Sequence, residues 1–145
     1  MAAQRSKMMI TISNKEEVYI LKEQDVVPLR NRVKEHAVKL GMSILNQTKV
    51  ITATSELVRN LLKYGGGGKV LIEIISNGRD NGIRLNFIDQ GPGIVDLTLA
   101  MKDGYSTGKS LGLGLPGTKR LVNEFQLQSE VGKGTTVTIT KWKNG

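Results

Sequence analysis

Apolar and polar positions alternate or recur at helical spacing along the 145-residue chain, which divides it into short elements joined by tight turns. The opening segments MMITIS and VYILKE flank NKE, a pattern that predicts a β-hairpin. Helical spacing then predicts a first helix that ends near Leu40, with Asp25 as its N-cap and Gly41 as its stop. Asn46 is predicted to cap a second helix, whose apolar stripe consists of Val50, Ile51, Ala53, Thr54, Leu57, Val58, Leu61 and Leu62.

The second half of the chain is richer in strands. KVLIEII and GIRLNFID, separated by the turn-rich SNGRDN, predict a hairpin whose second strand has Ile83, Leu85, Phe87 and Asp89 on one face. A short helix is predicted through DLTLAMKD, a further helix from about Leu115 to Phe125, and strands LQSEV and TTVTITKW joined by GKG. This order predicts an α+β fold: a two-layer α/β sandwich in which a mixed or antiparallel sheet carries helices on one face.

Composition narrows the class of protein. The length is that of one domain, so residues 1–145 are expected to form a single unit. The chain has no cysteine, which excludes disulfides, Cys-ligated zinc and a thiol nucleophile. No apolar run approaches the roughly 20 residues of a membrane span, and MAAQRSKMMI lacks a signal-peptide hydrophobic region. We therefore expect a cytoplasmic protein with no membrane partner.

The net charge of +8 favours an anionic partner such as a nucleotide, a nucleic acid or an acidic protein face. Lysines and arginines are spread along the chain, and one Trp, three Tyr and two Phe offer little surface for stacking on bases. Both features argue against nucleic acid as the main partner. Nucleic-acid binding driven by charge alone remains the third hypothesis for this chain.

The second helix carries a carboxylate and a carboxamide one turn apart. Glu56 and Asn60 project only about 40° from each other, so both can face one crevice. A carboxylate can act as a general base toward a hydroxyl, and a neutral oxygen beside it can hold Mg²⁺. A pair of this kind is also typical of a solvated helix face.

The strand that ends at Asp89 continues into DQGPG. An ionised carboxylate only accepts hydrogen bonds, which suits an exocyclic amine such as adenine N6, and Gly91 and Gly93 let the backbone pass close to a flat ring. The alternative is a strand end followed by an ordinary Pro-Gly turn.

The segment GYSTGKSLGLGLPGTKRL is the richest in glycine, and Gly112 to Gly114 opens into the next helix. The free N–H groups at a helix start can bind a phosphate. The alternative is a surface loop without a ligand. GYSTGKS is not a Walker A loop, because three residues lie between its glycines where that motif has four.

Four motifs follow one another in the order ELVRN, DQGPG, GLGL and GKGT, at residues 56–60, 89–93, 112–115 and 132–135. This ordered set resembles the GHKL ATPase/kinase superfamily with its Bergerat ATP-binding fold, a histidine-kinase-like ATPase domain. Within that superfamily the chain is most similar to the anti-sigma regulatory serine/threonine kinases, and among these to switch kinases of RsbT type. The resemblance implies ATP and Mg²⁺ as cofactors.

The resemblance also implies roles for individual residues. Glu56 would be the general base, Asn60 would coordinate Mg²⁺, and Asp89 would accept from adenine N6. The base pocket would be shaped by Gly91 and Gly93, with Thr135 supporting the contact to Asp89. The ATP lid would be formed by Ser106, Thr107, Gly108, Lys109 and Ser110, and the phosphates would meet the helix start at Gly112, Gly114 and Leu115. A phosphate contact by Lys109 is inferred from its charge and position alone and is not part of the resemblance.

The reaction implied by the resemblance is phosphorylation of a Ser or Thr on a STAS-domain antagonist, alternating with activation of a PP2C-type phosphatase in bacterial stress signalling. The second hypothesis is an ATP-binding anti-sigma or partner-sequestering module without significant kinase activity. A histidine kinase is excluded because His36 has no phosphoacceptor helical hairpin around it, and we interpret it as a surface residue. The oligomeric state, including a homodimer, is left open.

Overall fold

The computed structural model describes residues 9–93, 101 and 114–145. Within these residues the elements are β1 (Thr11–Ile20), a 3₁₀ turn (Glu23–Asp25), α1 (Val26–Leu40), α2 (Ile44–Lys63), β2 (Gly68–Ser76), β3 (Asn81–Asp89), α3 (Leu115–Leu121), β4 (Glu124–Glu130) and β5 (Gly134–Trp142). These five strands form one antiparallel sheet in the order β1-β2-β3-β5-β4. The helices pack on one face of this sheet around a single apolar core, so the predicted α+β fold is confirmed.

The core confirms the two strongest periodic patterns. Ile83, Leu85 and Phe87 are buried on one face of β3, and the predicted β2–β3 hairpin pairs in register from Ser76↔Asn81 to Gly68↔Asp89. The stripe of α2 packs over this face, with Val50, Ala53, Thr54, Leu57, Val58 and Leu61 buried. No helix in the described part of the chain is long and apolar enough to cross a membrane.

The predicted N-terminal hairpin is wrong. Residues Thr11–Ile20 form one edge strand that pairs with β2 along its length, interrupted only by an irregularity next to Ser13. NKE contains no glycine to adopt the positive φ of a tight two-residue turn, so the chain continues as a strand. Val18 and Ile20 turn toward the core, while most of the strand is exposed.

The ends of the first two helices differ in part from prediction. Ser43, not Asn46, caps α2: its Oγ accepts from the Asn46 backbone N–H at 3.1 Å. Asp25 occupies the N-cap position of α1, but its carboxylate accepts from the backbone N–H groups of Leu21 and Lys22 instead of capping the helix. The stop at Gly41 is confirmed by its left-handed φ of 86°.

The last helix is shorter than predicted. It ends at Leu121, and Phe125 lies in β4 because Glu124 to Glu130 pair with β5. Strand pairing across the sheet therefore overrides the helical spacing of this segment. The short helix predicted through DLTLAMKD lies outside the described residues except at Met101.

His36 is not a surface residue. It is 7% exposed, and its Nε2 lies 2.8 Å from Glu16 Oε1, which also accepts from Arg32 Nε at 2.7 Å. Burial by itself raises the pKa of Glu16, but these hydrogen bonds and the charges of Arg32 and His36 outweigh it and lower the pKa. The cluster joins α1 to the edge strand β1.

Four consecutive glycines, residues 65–68, form the turn from α2 into β2, and each has a different role. A Cβ on Gly65 would lie 2.5 Å from Asp89 Cγ, and one on Gly68 would overlap the Ile88 carbonyl. Gly66 has a φ of 74° and open space around it, whereas Gly67 has both a positive φ and a close approach to the Ile20 carbonyl. The run of glycines is thus explained by close backbone approaches and left-handed dihedrals.

Gly65→Ala tests the close approach, and Gly66→Ala in the same turn is its matched control. Both should lower the free energy of unfolding by about 1 to 3 kcal/mol, through overpacking at Gly65 and backbone strain at Gly66. Only Gly65→Ala should displace the Asp89 carboxylate, which shifts the amide NMR signals of Gly91 and Thr135, the two donors to Asp89. Equal shifts in both variants would contradict this account.

A buried charged network lies on the sheet face away from the helices. Glu73 is 6% exposed, and its Oε1 accepts from Arg84 Nε at 2.8 Å and from Asn86 Nδ2 at 3.0 Å. Burial raises the pKa of Glu73, but these two hydrogen bonds and the charges of Arg84 and Lys15 outweigh it and lower the pKa. The ionised form of Glu73 therefore stabilises the folded chain.

Glu73→Gln should destabilise the chain by about 2 kcal/mol at pH 7 because the network loses its charge-assisted hydrogen bonds. The pKa of Glu73 in the folded chain lies below its value in the unfolded chain, so the contribution of the ionised group is present above the unfolded pKa and is lost as pH falls through the folded pKa. Urea unfolding of both proteins from pH 7 to pH 3 should show the difference closing. A difference that does not change with pH would contradict the assignment.

Candidate functional site

A pocket opens between α2, the last residues of β3, the first residues of β5 and the start of α3. It holds about 480 Å³ of empty space, counted together with the open solvent at its mouth. Its lining consists of Leu57, Asn60, Leu61, Tyr64, Phe87, Asp89, Gly93, Leu115, Thr135 and Val137. The pocket therefore brings together Asn60, Asp89, Gly93, Leu115 and Thr135, which the sequence had singled out in four separate motifs.

The walls are apolar where the elements meet. Leu57 and Leu61 of α2, Phe87 of β3 and Leu115 of α3 are each at most 3% exposed. Val137 of β5 completes this lining. Such a wall, with few polar groups at its edge, suits a flat heterocycle that carries a small number of hydrogen-bonding atoms.

Asp89 is the charged group of the pocket, at the end of β3. Its Oδ1 accepts from the backbone N–H of Gly91 at 2.8 Å and from that of Thr135 at 3.2 Å. None of the hydrogen bonds found among the described residues involves the other oxygen, Oδ2. The backbone thus fixes one oxygen of the carboxylate and leaves the other to accept from a ligand.

Glycines allow the backbone to close around this carboxylate. A Cβ on Gly91 would lie 2.8 Å from Gly65 Cα, and one on Gly93 would lie 2.5 Å from the Glu130 carbonyl oxygen. A Cβ on Gly134 would overlap the Asp89 carbonyl. The turn after β3 is therefore packed directly against the turn after α2 and the turn before β5.

Thr135 contacts Asp89 through its backbone. Its N–H donates to Asp89, while its Oγ1 lies 2.9 Å from Ser129 Oγ across the β4–β5 pair. The predicted support of Asp89 by Thr135 is thus a direct backbone contact.

Glu56 lies one turn before Asn60 on α2 and is not among the residues that line the pocket. Its Oε2 accepts from Arg59 Nη1 at 2.7 Å. Its Oε1 faces Gly114, where an added Cβ would lie 3.2 Å away. The carboxylate therefore sits beside the start of α3, not beside Asp89, and its side chain is 39% exposed.

Gly114 and Leu115 form the start of α3. Gly114 has a left-handed φ of 64°, and its carbonyl accepts from the N–H and the Oγ1 of Thr118. Leu115 is 1% exposed, so its side chain belongs to the wall of the pocket. The remaining residues predicted for the lid and the phosphate contacts lie outside the described residues: Ser106, Thr107, Gly108, Lys109, Ser110 and Gly112.

The side-chain oxygens near Glu56 determine which kind of metal ion could bind there. No group of three His, Asp or Glu side chains suited to a metal occurs within residues 9–93 and 114–145. The side-chain oxygen of Asn60, one turn from Glu56, fits Mg²⁺, because this ion commonly takes only one or two ligands from the protein and its other ligands from substrate phosphates and water. The described residues do not form a cage made of protein ligands alone.

Several residues of the site escaped the sequence analysis. Tyr64 lines the pocket mouth with its ring 5.3 Å from Lys63 Nζ, and Arg59 pairs with Glu56. Gly65 and Gly134 lie against Asp89. The glycine run after α2 was the available signal, because several adjacent glycines indicate close backbone approaches.

Comparison with known proteins agrees with this geometry. Residues 45–144 match the family model described as histidine kinase-, DNA gyrase B- and HSP90-like ATPase. The chain is 42% identical over 125 residues to serine/threonine-protein kinase RsbT of Bacillus subtilis (strain 168), covering 86% of this chain and 94% of that protein. It is 30% identical over 128 residues to the anti-sigma F factor of Thermoanaerobacter sp. (strain X514), covering 86% and 90%.

Among solved structures, the RsbU and RsbW domains of Rv1364c from Mycobacterium tuberculosis share the fold, with a TM-score of 0.60 and 19% identity over 89% of this chain. This chain spans 32% of that larger protein. The family match covers well over half of the chain, and both curated relatives align along most of it. The chain therefore belongs to the histidine kinase-, DNA gyrase B- and HSP90-like ATPase family, also called GHKL.

Proposed function

We propose that this chain is an ATP-dependent protein serine/threonine kinase that also acts as a partner-switching regulator in the bacterial cytoplasm. It phosphorylates a STAS-domain antagonist and activates a PP2C-type phosphatase. The observation that carries the proposal is that Asn60 and Asp89, from motifs far apart in sequence, line one cavity together with Leu115, while Glu56 faces Gly114 at the start of the same helix. The 42% identity to a serine/threonine-protein kinase over most of the chain supports it.

Adenine occupies the apolar pocket in this proposal. Asp89 Oδ2 accepts from the exocyclic N6 amine, while Gly91 and Thr135 hold Oδ1. Gly93 lets the backbone pass close to the ring, and Leu57 and Phe87 contact its faces. An acceptor in this position favours adenine over guanine, whose corresponding atom is a carbonyl oxygen.

The phosphates extend from this pocket toward the start of α3. Asn60 supplies the protein oxygen for Mg²⁺, which when bound neutralises the charge of the phosphate oxygens. Gly114 lies next to Glu56, and the backbone N–H groups of Gly114 and Leu115 can meet the terminal phosphate in this proposal. In this proposal Ser106, Thr107, Gly108, Lys109 and Ser110 form the ATP lid, and Gly112 completes the phosphate contacts at the helix start.

Glu56 acts as the general base. The Ser or Thr hydroxyl oxygen of the antagonist bonds to the γ-phosphorus, the bond from that phosphorus to the β–γ bridging oxygen breaks, and ADP leaves. The hydroxyl proton passes to the Glu56 carboxylate. Because phosphoryl transfer depends mainly on positioning and charge, one carboxylate at the start of α3 is sufficient.

A second candidate function is an ATP-binding module that sequesters or activates its partner without significant phosphotransfer. The similarity to an anti-sigma F factor favours it, because that name describes a regulator that acts on a sigma factor. Glu56 argues against it, since its carboxylate faces the start of α3 and nucleotide binding alone does not need a base there. The two candidates share the adenine pocket and differ in the need for Glu56.

Asp89→Asn tests the adenine pocket. The Asn oxygen can still accept from Gly91 and Thr135, but its NH₂ would then face the adenine N6 amine, and two donors would oppose each other. We expect at least about 10- to 100-fold weaker binding of a fluorescent ATP analogue, measured with Mg²⁺ by titration. Asp80→Asn, the same change at the opposite end of the β2–β3 hairpin, should bind as wild type. Unchanged affinity in Asp89→Asn would refute the pocket assignment.

Glu56→Gln tests the base. It should lower the rate of phosphate transfer from labelled ATP to a STAS-domain protein by about 10²- to 10⁴-fold, with ATP affinity within about twofold of wild type. Glu35→Gln is the matched control, because Glu35 also pairs with an arginine three residues away on an exposed helix face, Arg32. Full transfer by Glu56→Gln would favour another base. Partner regulation without any transfer by the wild type would favour the second candidate.

A further inference from the structure

We propose that Arg59 is a positioning residue for phosphoryl transfer, which orients the carboxylate of Glu56 without binding the nucleotide. This inference rests on the proposed role of Glu56 as general base. Arg59 lies three residues after Glu56 on the outer side of α2, and its Nη1 lies 2.7 Å from Glu56 Oε2. Arg59 does not line the nucleotide pocket.

The two oxygens of the Glu56 carboxylate have different surroundings. Oε2 is held by Arg59, whereas Oε1 is the atom nearest to a Cβ built on Gly114, at 3.2 Å. Since the carboxylate is planar and rigid, the contact of Arg59 with Oε2 restricts the directions that Oε1 can take. Arg59 thereby directs the free oxygen toward the start of α3, where the acceptor hydroxyl meets the terminal phosphate.

Exposure explains why Glu56 needs such a partner. Its side chain is 39% exposed and is not held by surrounding core residues, so several rotamers are available to it. Ion pairs of this kind contribute little to stability, and the Arg59 side chain is 66% exposed. The value of the pair is therefore geometric, because transfer rates respond steeply to the placement of the reacting groups.

Guanidinium chemistry suits this task. Arg59 remains protonated throughout and has no acceptor, so it cannot compete with Glu56 for the hydroxyl proton. Its planar fork holds a carboxylate oxygen in a narrower range of directions than the single ammonium of lysine. We therefore expect a graded response in which Arg59→Lys retains more activity than Arg59→Ala.

The test measures kcat and KM for ATP in phosphate transfer to a STAS-domain protein, together with ATP affinity by titration. Arg59→Ala should lower kcat by about three- to tenfold while KM and ATP affinity stay within about twofold. Arg59→Lys should recover a substantial part of the loss. Arg79→Ala removes the same charge in the turn between β2 and β3, at the end of the hairpin away from Asp89, and should behave as wild type.

Combination with Glu56→Gln separates this inference from the proposed function. If Arg59 acts through Glu56, Arg59→Ala causes no further loss in a Glu56→Gln background. A weakened ATP affinity or a raised KM in Arg59→Ala would mean that Arg59 binds the nucleotide, and an unchanged kcat would mean that it has no role; either result overturns the inference. Full activity of Glu56→Gln by itself would instead overturn the assignment of the base.

Discussion

The close packing of three turns around the Asp89 carboxylate is the constraint on which the site depends. The turn after α2 passes so near that a side chain at position 65 would overlap Asp89, and the turn after β3 and the start of β5 each donate a backbone N–H to Oδ1. The end of α2, the end of β3 and the beginning of β5 are therefore held in one arrangement. That arrangement places the apolar surfaces of these elements around a pocket and leaves one carboxylate oxygen for a ligand.

Helix α2 connects the two ends of the site. Its buried stripe fixes the helix on the sheet, so Asn60 and Glu56 are presented one turn, about 6 Å, apart along a rigid element. Asn60 lies in the pocket wall, and Glu56 lies beside the start of α3. A nucleotide whose base rests against Asp89 can thus direct its phosphates toward Glu56. The proposed separation of metal binding at Asn60 from proton transfer at Glu56 follows from their order along this one helix.

Much of this arrangement could be predicted from the sequence because it depends on strong local patterns. The β2–β3 hairpin, the stripe of α2 and the face shared by Phe87 and Asp89 all follow from periodicity. The patterns gave wrong predictions where contacts between distant residues decide the structure. Strand β1 continues through NKE because it pairs with β2, and Phe125 belongs to β4 because that strand pairs with β5. His36 was misplaced because its partner, Glu16, is 20 residues away. The ion pair between Glu56 and Arg59 joins residues three apart on one helix, so their spacing could have predicted it.

The most direct test of the account is a crystal structure of this chain with Mg²⁺ and a non-hydrolysable ATP analogue. The account predicts the adenine N6 amine within about 3 Å of Asp89 Oδ2, with the ring between Leu57 and Phe87. It also predicts the terminal phosphate next to Gly114, on the side that Glu56 faces. A nucleotide bound elsewhere, or an adenine ring that makes no contact with Asp89, would contradict the central claim.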